Sequence, residues 1–372
     1  MCDKKTFGPS KNNRENTFGN QPSVSVIVVN KDGINFVGQC LESVLRSAYH
    51  NFEVTLVDNG SVDGSPDFVE SKFNDPRLHV IRLKTNVGLD EANNIGARSS
   101  RSEYMIFLNN DTTVHLDWIA QLVAALEKDT TIGSAQSKVL MMSDPTIIDS
   151  VGGYVDRFGD ALRNGSGEFD DGRACRPEEI FYAGGTVTII RGDLYFKVGG
   201  FRNYFFIMHE DVDIGWRVWL SGHRVVSVPN SIVYHRKGVS TSKVLPLVLF
   251  HCTKNRISTM IQNYESSSIL RYVPLRMIID FGTSLRDIYS KNLEFAVAIL
   301  RGLLWPIVEF RTVWRTHEEV KYRVRRISDM QVLLRMASNG IPYAMIILHA
   351  FPFTRKLLTR YVRWKLPLPI HH

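Results

Sequence analysis

The sequence predicts an α/β protein: an open, mostly parallel, doubly wound sheet followed by a C-terminal helical extension. Three observations lead there. Nearly continuous β-branched runs, beginning with Ser23–Asn30 (SVSVIVVN), alternate with segments of helical spacing. Four of these strands end in amides or carboxylates. From Lys243 onward the reading is helical throughout.

Ser23–Asn30 is the first strand, apolar enough to be buried on both faces. Ile34, Val37, Leu41, Val44, Leu45 and Ala48 follow at helical spacing. Phe52–Asp58 (FEVTLVD) is the second strand, with a Gly/Ser/Asp loop and a short helix after it. His79–Leu83 is the third strand, Gly88–Ser100 a helix, and Tyr104–Leu108 the fourth strand, running into Asn109-Asn110-Asp111. This order implies right-handed crossovers. Met141–Ile180, weakly periodic and rich in Gly, Asp and Arg, reads as loops over a site. Tyr182–Ile190 is strand-like, Val198-Gly199-Gly200 a turn, Tyr204–Gly222 a helix with acidic residues at its start, and Arg224–Val228 a short strand. The expected domains are a disordered polar tail (1–22), an α/β domain (23–242) and a basic amphipathic helical region (243–372).

At 372 residues, 44% hydrophobic, the chain can bury one large core or a domain plus an extension. Cys2, Cys40, Cys175 and Cys252 are too scattered for a zinc site and read as reduced structural thiols. The first twenty residues hold no apolar stretch that could act as a secretory signal, which places the protein in the cytoplasm. The net charge of +7 is unevenly distributed. From Lys243 on, 20 Lys and Arg face 8 Asp and Glu; before it the counts are 25 and 30. An acidic body with a basic tail argues against a nucleic-acid partner and suits a catalytic domain docked on an anionic membrane surface.

Ligands of doubly wound sheets bind at the carboxyl ends of the strands. Asn30 to Asp32, Asp58 to Asp63, Asn86 and Asn109 to Asp111 cluster there. No GxGxxG follows the first strand and no GxxxxGK[ST] occurs, so dinucleotide oxidoreduction and P-loop chemistry lose support.

Six segments in order are VVNKDG (Val28–Gly33), VDNGSVDGS (Val57–Ser65), NVGLDEANNIG (Asn86–Gly96), FLNNDT (Phe107–Thr112), HEDVDIGWR (His209–Arg217) and VYHRKGVS (Val233–Ser240). Together they resemble the inverting family 2 glycosyltransferases of GT-A fold, over roughly Ser23 to Ser242, with a flavour closest to the rhamnosyl- and galactofuranosyltransferase-like branch. The resemblance implies a nucleotide-diphosphate sugar donor and a glycan or lipid-linked acceptor in cell-surface polysaccharide synthesis. Asp58 matches the aspartate that bonds the donor's base, with Asn30, Asn94, Asn109 and Asn110 as further nucleotide-sugar contacts. Asp111 matches the end of the family's Asp-x-Asp, here Asn109-Asn110-Asp111 with one carboxylate kept, and His235 matches a histidine on the metal. A divalent cation, Mn2+ or Mg2+, would stabilise the departing diphosphate. Asp211 matches the catalytic base, and Glu210 beside it orients the acceptor or a loop. The QxxRW motif of processive synthases is absent, so one sugar per encounter is expected. The alternatives are an inactive scaffold of a glycan-assembly complex and a sugar-nucleotide nucleotidyltransferase, for which Lys31-Asp32-Gly33 makes a poor triphosphate loop.

In the basic region, Val320, Val324, Ile327, Leu334 and Met336 fall near one helical stripe, with Lys321, Arg323, Arg325, Arg326 and Arg335 around it. This stripe is expected to lie in the lipid interface as a peripheral anchor on the inner face of the cell membrane. The other reading is a helical subdomain packed on the sheet or a homo-oligomer interface. Leu293–Phe310, broken by Arg301 and Pro306, and Ile341–Phe353 are too interrupted or too short to span a bilayer.

Overall fold

A computed structural model describes residues 21–172, 177–236 and 245–337. They form two units. One holds residues 21–154, 161–236 and 322–328, and the other residues 155–160, 245–321 and 329–337.

The first unit is built on the apolar runs. β1 (Val24–Asn30) is buried along almost its whole length, as a central parallel strand covered on both faces must be. α1 (Val37–Leu45), β2 (Phe52–Asp58), α2 (Ser65–Lys72), β3 (Leu78–Arg82), α3 (Leu89–Ser99) and β4 (Tyr104–Asn109) follow in strict alternation. The four strands are parallel in the order β3-β2-β1-β4. Then come β5 (Thr112–Val114), α4 (Trp118–Lys128), β6 (Ile132–Met141), β7 (Asp144–Ser150), β8 (Gly153–Val155), β9 (Ala161–Arg163), β10 (Val187–Arg191), α5 (Gly192–Lys197), α6 (Glu210–Leu220) and β11 (Arg224–His235). They extend the order to β3-β2-β1-β4-β10-β6-β11-β5, with β7 on β6 and β8 and β9 apart.

Beyond β4 the sheet is mixed. β10 runs antiparallel to both β4 and β6, and β5 antiparallel to β11, whereas β6 and β11 are parallel. The core lies between the sheet and α1 and α4, where Trp118 is fully buried and its indole N–H donates to Ser47 Oγ at 2.8 Å. Cys40 is buried there too, and burial pushes its thiol up to about 12.

Several elements differ from the sequence reading. The stretch expected to be loops (141–180) contains β7, β8 and β9. The strand expected from Tyr182 starts only at Val187, because the Gly184 N–H turns aside to Gln136 Oε1 at 2.5 Å. The helix expected over 204–222 is a short turn at Asn203–Phe205 and then α6. Phe206, Met208 and His209 all have positive φ, which a helix does not allow. The strand expected to end at Val228 continues to His235 through a register shift.

Within α6, Asp213 and Arg217 sit one turn apart and both are fully buried, with Arg217 Nη2 2.6 Å from Asp213 Oδ2. Arg217 also donates to the Val198 carbonyl at 2.5 Å.

The second unit contains α7 (Leu245–Asn263), α8 (Ser266–Tyr289), α9 (Leu293–Val308), α10 (Phe310–Glu319) and α11 (Asp329–Leu333). The lipid-facing stripe expected over 320–336 is not formed. α10 passes into a π turn at Val320–Val324, the helix breaks, and α11 begins at Asp329. Val320, Val324 and Met336 are buried, so these apolar residues are core rather than an anchor. Among the described residues no helix is long and apolar enough to cross a membrane. The first twenty residues, Cys175 and Ile341–Phe353 lie outside the described residues.

Removing one partner of a buried pair strands a charge in low dielectric, at a cost of about 3–5 kcal/mol. Arg217→Met should therefore lower the unfolding free energy by roughly that amount, read from urea midpoints. A change below about 1 kcal/mol would mean that the pair does not hold α6 in place.

Candidate active site

The chain leaves β1 toward β2 on one side and returns as β4 on the other. The crevice at the carboxyl ends of β1 and β4 is therefore a topological switch point, where open sheets bind ligands.

Asn30, the last residue of β1, is completely buried there. Its Nδ2 donates to Ser65 Oγ at 2.8 Å, Asp58 Oδ1 at 3.1 Å and Ser61 Oγ at 3.3 Å. Its Oδ1 accepts from Asn110 Nδ2 at 2.8 Å. The parallel register sets Asn30 beside Asp58, the last residue of β2. Asp58 Oδ2 accepts the Ser61 N–H at 3.1 Å, so it also closes the loop after β2. A methyl group on Gly33 would lie 2.3 Å from both Asn30 Oδ1 and Asn110 Nδ2, so this bond exists only because position 33 carries no side chain.

At the end of β4, the Asn109 carbonyl accepts the Thr112 hydroxyl at 2.7 Å, turning the chain into β5. β5 pairs with β11 so that Thr112 faces His235, which delivers His235 to Asp111. His235 Nε2 lies 3.3 Å from Asp111 Oδ1, and Nδ1 lies 2.8 Å from Asp149 Oδ2 on β7. Burial alone would lower the imidazole pKa, but the bonds to Asp111 and Asp149 outweigh it and bring it up to about 9. With no cation bound, the ring at neutral pH is then an imidazolium held between two carboxylates, and a metal ion would take the place of the Nε2 proton.

A divalent cation fits this arrangement. Asp111 and His235 are both nearly buried and present one oxygen and one nitrogen to the same point. That mixed set suits manganese better than a harder ion. Asp149 holds the far side of the ring, the outer-shell carboxylate that histidine ligands commonly have. No group of three candidate ligands occurs among the described residues, so the remaining positions would fall to substrate phosphate and water.

Glu210 and Asp211 open α6, where the helix N-terminus favours negative charge. Asp211 Oδ2 accepts the Gly185 N–H at 3.1 Å and Oδ1 the Val212 N–H at 2.8 Å. Glu210 Oε2 is buried and has no hydrogen-bond partner. Burial, and next the charge of Asp211, push Glu210 up to about 8. Burial also raises Asp211, against its two backbone bonds. Those bonds favour the ionised form, so the pair's proton belongs on Glu210 and the charge on Asp211.

The loop ahead of the pair is strained, with Phe206, Met208 and His209 in the left-handed region. It is anchored where the Phe206 carbonyl accepts the Leu89 N–H at 2.7 Å, beside Gly88, whose missing side chain leaves room for Phe206.

Asn94 is not brought to this cluster. Its Oδ1 accepts from the Tyr195 hydroxyl at 2.6 Å and from the Phe201 N–H, and its Nδ2 donates to the Phe201 carbonyl. The amide thus fastens α3 to the turn after α5. Trp216 and Trp219 are buried on α6 and are core residues. The sequence reading missed Asp149, a lone acid in a segment taken for loop, though TIID before two glycines carries a strand-end signal. It also missed Arg163, whose half-exposed guanidinium lies 3.8 Å from Asp149 and whose charge opposes the upward shifts of Glu210 and Asp211.

Residues 23–194 match the family model described as glycosyl transferase family 2. The chain is 25% identical over 225 residues to the O-antigen biosynthesis protein RfbC of Myxococcus xanthus, covering 59% of this chain and 18% of that one. It is 24% identical over 298 residues to an uncharacterized glycosyltransferase of Haemophilus influenzae, covering 77% and 86%. The chain spans about a third or less of the first curated relatives it matches. Among solved structures it is similar to GalNAc-T7 with UDP, GalNAc and Mn2+, at a TM-score of 0.56 and 18% identity, over 79% of this chain and 58% of that one. The shared fold is GT-A.

Forcing a methyl group into a packed site costs about 1–3 kcal/mol. Gly33→Ala should lose roughly that stability and also the donor-induced thermal shift, because Asn30 and Asn110 must part. An unchanged melting temperature with an unchanged donor shift would show that the Asn30–Asn110 bond does not organise the crevice.

Proposed function

We propose, from the glycosyl transferase family 2 domain carried by residues 23–194, that this protein transfers a sugar with inversion from a nucleotide-diphosphate donor to an acceptor hydroxyl. The acceptor is a growing cell-surface glycan or a lipid-linked one, extended by one sugar per encounter at the cytoplasmic face of the membrane. The observation that carries this reading is the acid pair: an ionised Asp211 fixed by two backbone N–H groups, beside a carboxyl that holds its own proton.

Asp58, with Asn109 and Asn110, takes the nucleotide at the switch point, and the buried Asn30 holds Asp58 and Asn110 in place. Asp111 and His235 are the residues that would hold a divalent cation, manganese or magnesium. When bound, that ion neutralises charge on the departing diphosphate. Asp211 accepts the acceptor's hydroxyl proton as the new C–O bond forms and the anomeric carbon's bond to phosphate breaks, its electron pair leaving with the diphosphate. Each Asp211 oxygen uses one lone pair on a backbone N–H, which leaves another for that proton. Glu210, protonated, donates to the acceptor or to the loop without competing for the proton. Lys31 favours this reading over a nucleotidyltransferase, since its Nζ is held by Asp32 at 2.6 Å and by the Gly60 carbonyl at 3.0 Å rather than directed at a triphosphate.

Asp211→Asn should keep the donor-induced thermal shift while transfer falls about a hundredfold or more, the scale of a lost general base. Glu210→Gln, a neutral mimic, should stay within about tenfold of the parent. In the pH profile of kcat/KM, the acid limb should lie above the 3.8 of an ordinary aspartate, since burial raises Asp211 and the base works only when deprotonated. Equal losses in the two variants, or near-normal turnover of Asp211→Asn, would remove this division of labour.

The ion is tested by direct binding as well as by activity. Mn2+ titrated into the protein and followed by electron paramagnetic resonance should bind about ten- to a hundredfold more weakly in Asp149→Ala, as for a lost outer-shell carboxylate. His235→Ala should raise the metal requirement for transfer. Full activity in excess chelator would exclude Asp111 and His235 as a metal pair.

A further inference from the structure

Two helices of the second unit bury charged and polar side chains, and α8 exposes apolar ones. α8 turns Arg276, Asp280, Ser284 and Asp287 inward, and α7 buries Lys254, Asn255 and Gln262. The interior is held by ion pairs. Arg256 lies 2.8 Å from Asp160 and 2.7 Å from Asp280, while Arg276 lies 2.6 Å from Asp160 and also bonds Asp280. The outward face of α8 carries Leu270, Leu275, Ile278, Phe281, Leu285 and Ile288, with Leu270 78% and Ile278 61% exposed. α9 continues it with Leu304, Ile307 and Val308. A surface helix in water shows the opposite arrangement, and a contiguous apolar face of this size marks an interaction surface.

We propose that the outward apolar face of α8 and α9 beds into the interface of an anionic lipid bilayer. Charge selects this occupant. Between 245 and 321 the exposed ions are Arg271, Lys291, Arg301, Arg311, Arg315 and Lys321 against Glu294, Glu309 and Glu318. Arg271 stands in the α8 stripe, and Arg301 between Val297 and Leu304 in that of α9, where a long stem reaches out of the acyl region to the phosphates. A symmetric dimer through this patch would set cations against cations, whereas anionic headgroups match them. Since neither helix qualifies as a span, the pair lies in the interface plane. This deepens the membrane part of the proposed function and moves the contact from 320–336 to α8 and α9, and it is independent of the donor chemistry.

The test is co-sedimentation of the full chain with phosphatidylcholine vesicles, with and without phosphatidylglycerol. Binding should favour the anionic vesicles and weaken with salt without vanishing, because the apolar share is not screened. Ile278→Glu combined with Leu285→Glu should cut binding by at least about tenfold, with melting temperature and donor-induced thermal shift unchanged. Leu304→Glu with Ile307→Glu repeats the measurement should the first pair fail to fold. A parent that ignores both vesicle types overturns the proposal. So does an α8 variant that turns a dimer into a monomer in sedimentation velocity, or vesicle binding that appears only after residues 338–372 are removed, which would make the face the seat of the chain's own C-terminal segment. Donor binding lost in every variant would count against the reading of the catalytic crevice, and donor binding kept while vesicle binding is absent would count against the membrane contact alone.

Discussion

One buried amide organises the carboxyl ends of the parallel strands in this protein. Asn30 closes β1, and its single side chain meets β2 through Asp58, the loop after β2 through Ser61 and Ser65, and the end of β4 through Asn110. A wholly buried amide must have its donors and acceptor satisfied. The three strand ends therefore cannot drift apart without leaving a polar group unpaired in the interior. Asp58 is fixed because Asn30 holds one of its oxygens, and Asn110 is turned inward from β4 because it bonds the same amide. The β4–β5 corner continues this order outward, since Thr112 opposite His235 completes the Asp111–His235–Asp149 line.

The two carboxyl clusters share surroundings but differ in what balances them. Around His235 the negative charges are met by a cation, the imidazolium or a metal ion in its place. At the head of α6 burial makes Glu210 hold a proton instead. In the function we propose, the first cluster would stabilise anionic phosphate and the second would accept a proton, the two demands of a single in-line displacement. Arg163 lies near both, and its charge keeps Asp211 from rising as far as burial alone would take it.

Much of this was legible in the sequence. β1, β2, β4 and the helices between them were readable because a parallel strand buried on both faces has to be a continuous apolar run, and the polar residues that end such runs mark the crevice. The antiparallel insertion of β10 between β4 and β6 was not readable, because local periodicity carries no information on which distant strand will pair. Asp149 was hidden because its meaning depends on His235, 86 positions later. The strained turn before Glu210 was hidden because helical spacing of the side chains continues through it while the backbone does not. The 320–336 stripe misled for a related reason: its apolar residues are periodic, but the helix breaks within it and Val320, Val324 and Met336 are buried, whereas α8 before it exposes several of its own.

The turn before Glu210 sets durability against function. Holding Phe206, Met208 and His209 in the left-handed region costs of order 1–3 kcal/mol for each residue, and that energy is stored one peptide bond from the acid pair. Selection for heat resistance alone would replace them with glycine or asparagine, which tolerate the conformation. The same relaxation would let α6 begin elsewhere and carry Asp211 off the Gly185 N–H. Variants hardened at this turn would thus gain robustness at the cost of a displaced acid pair.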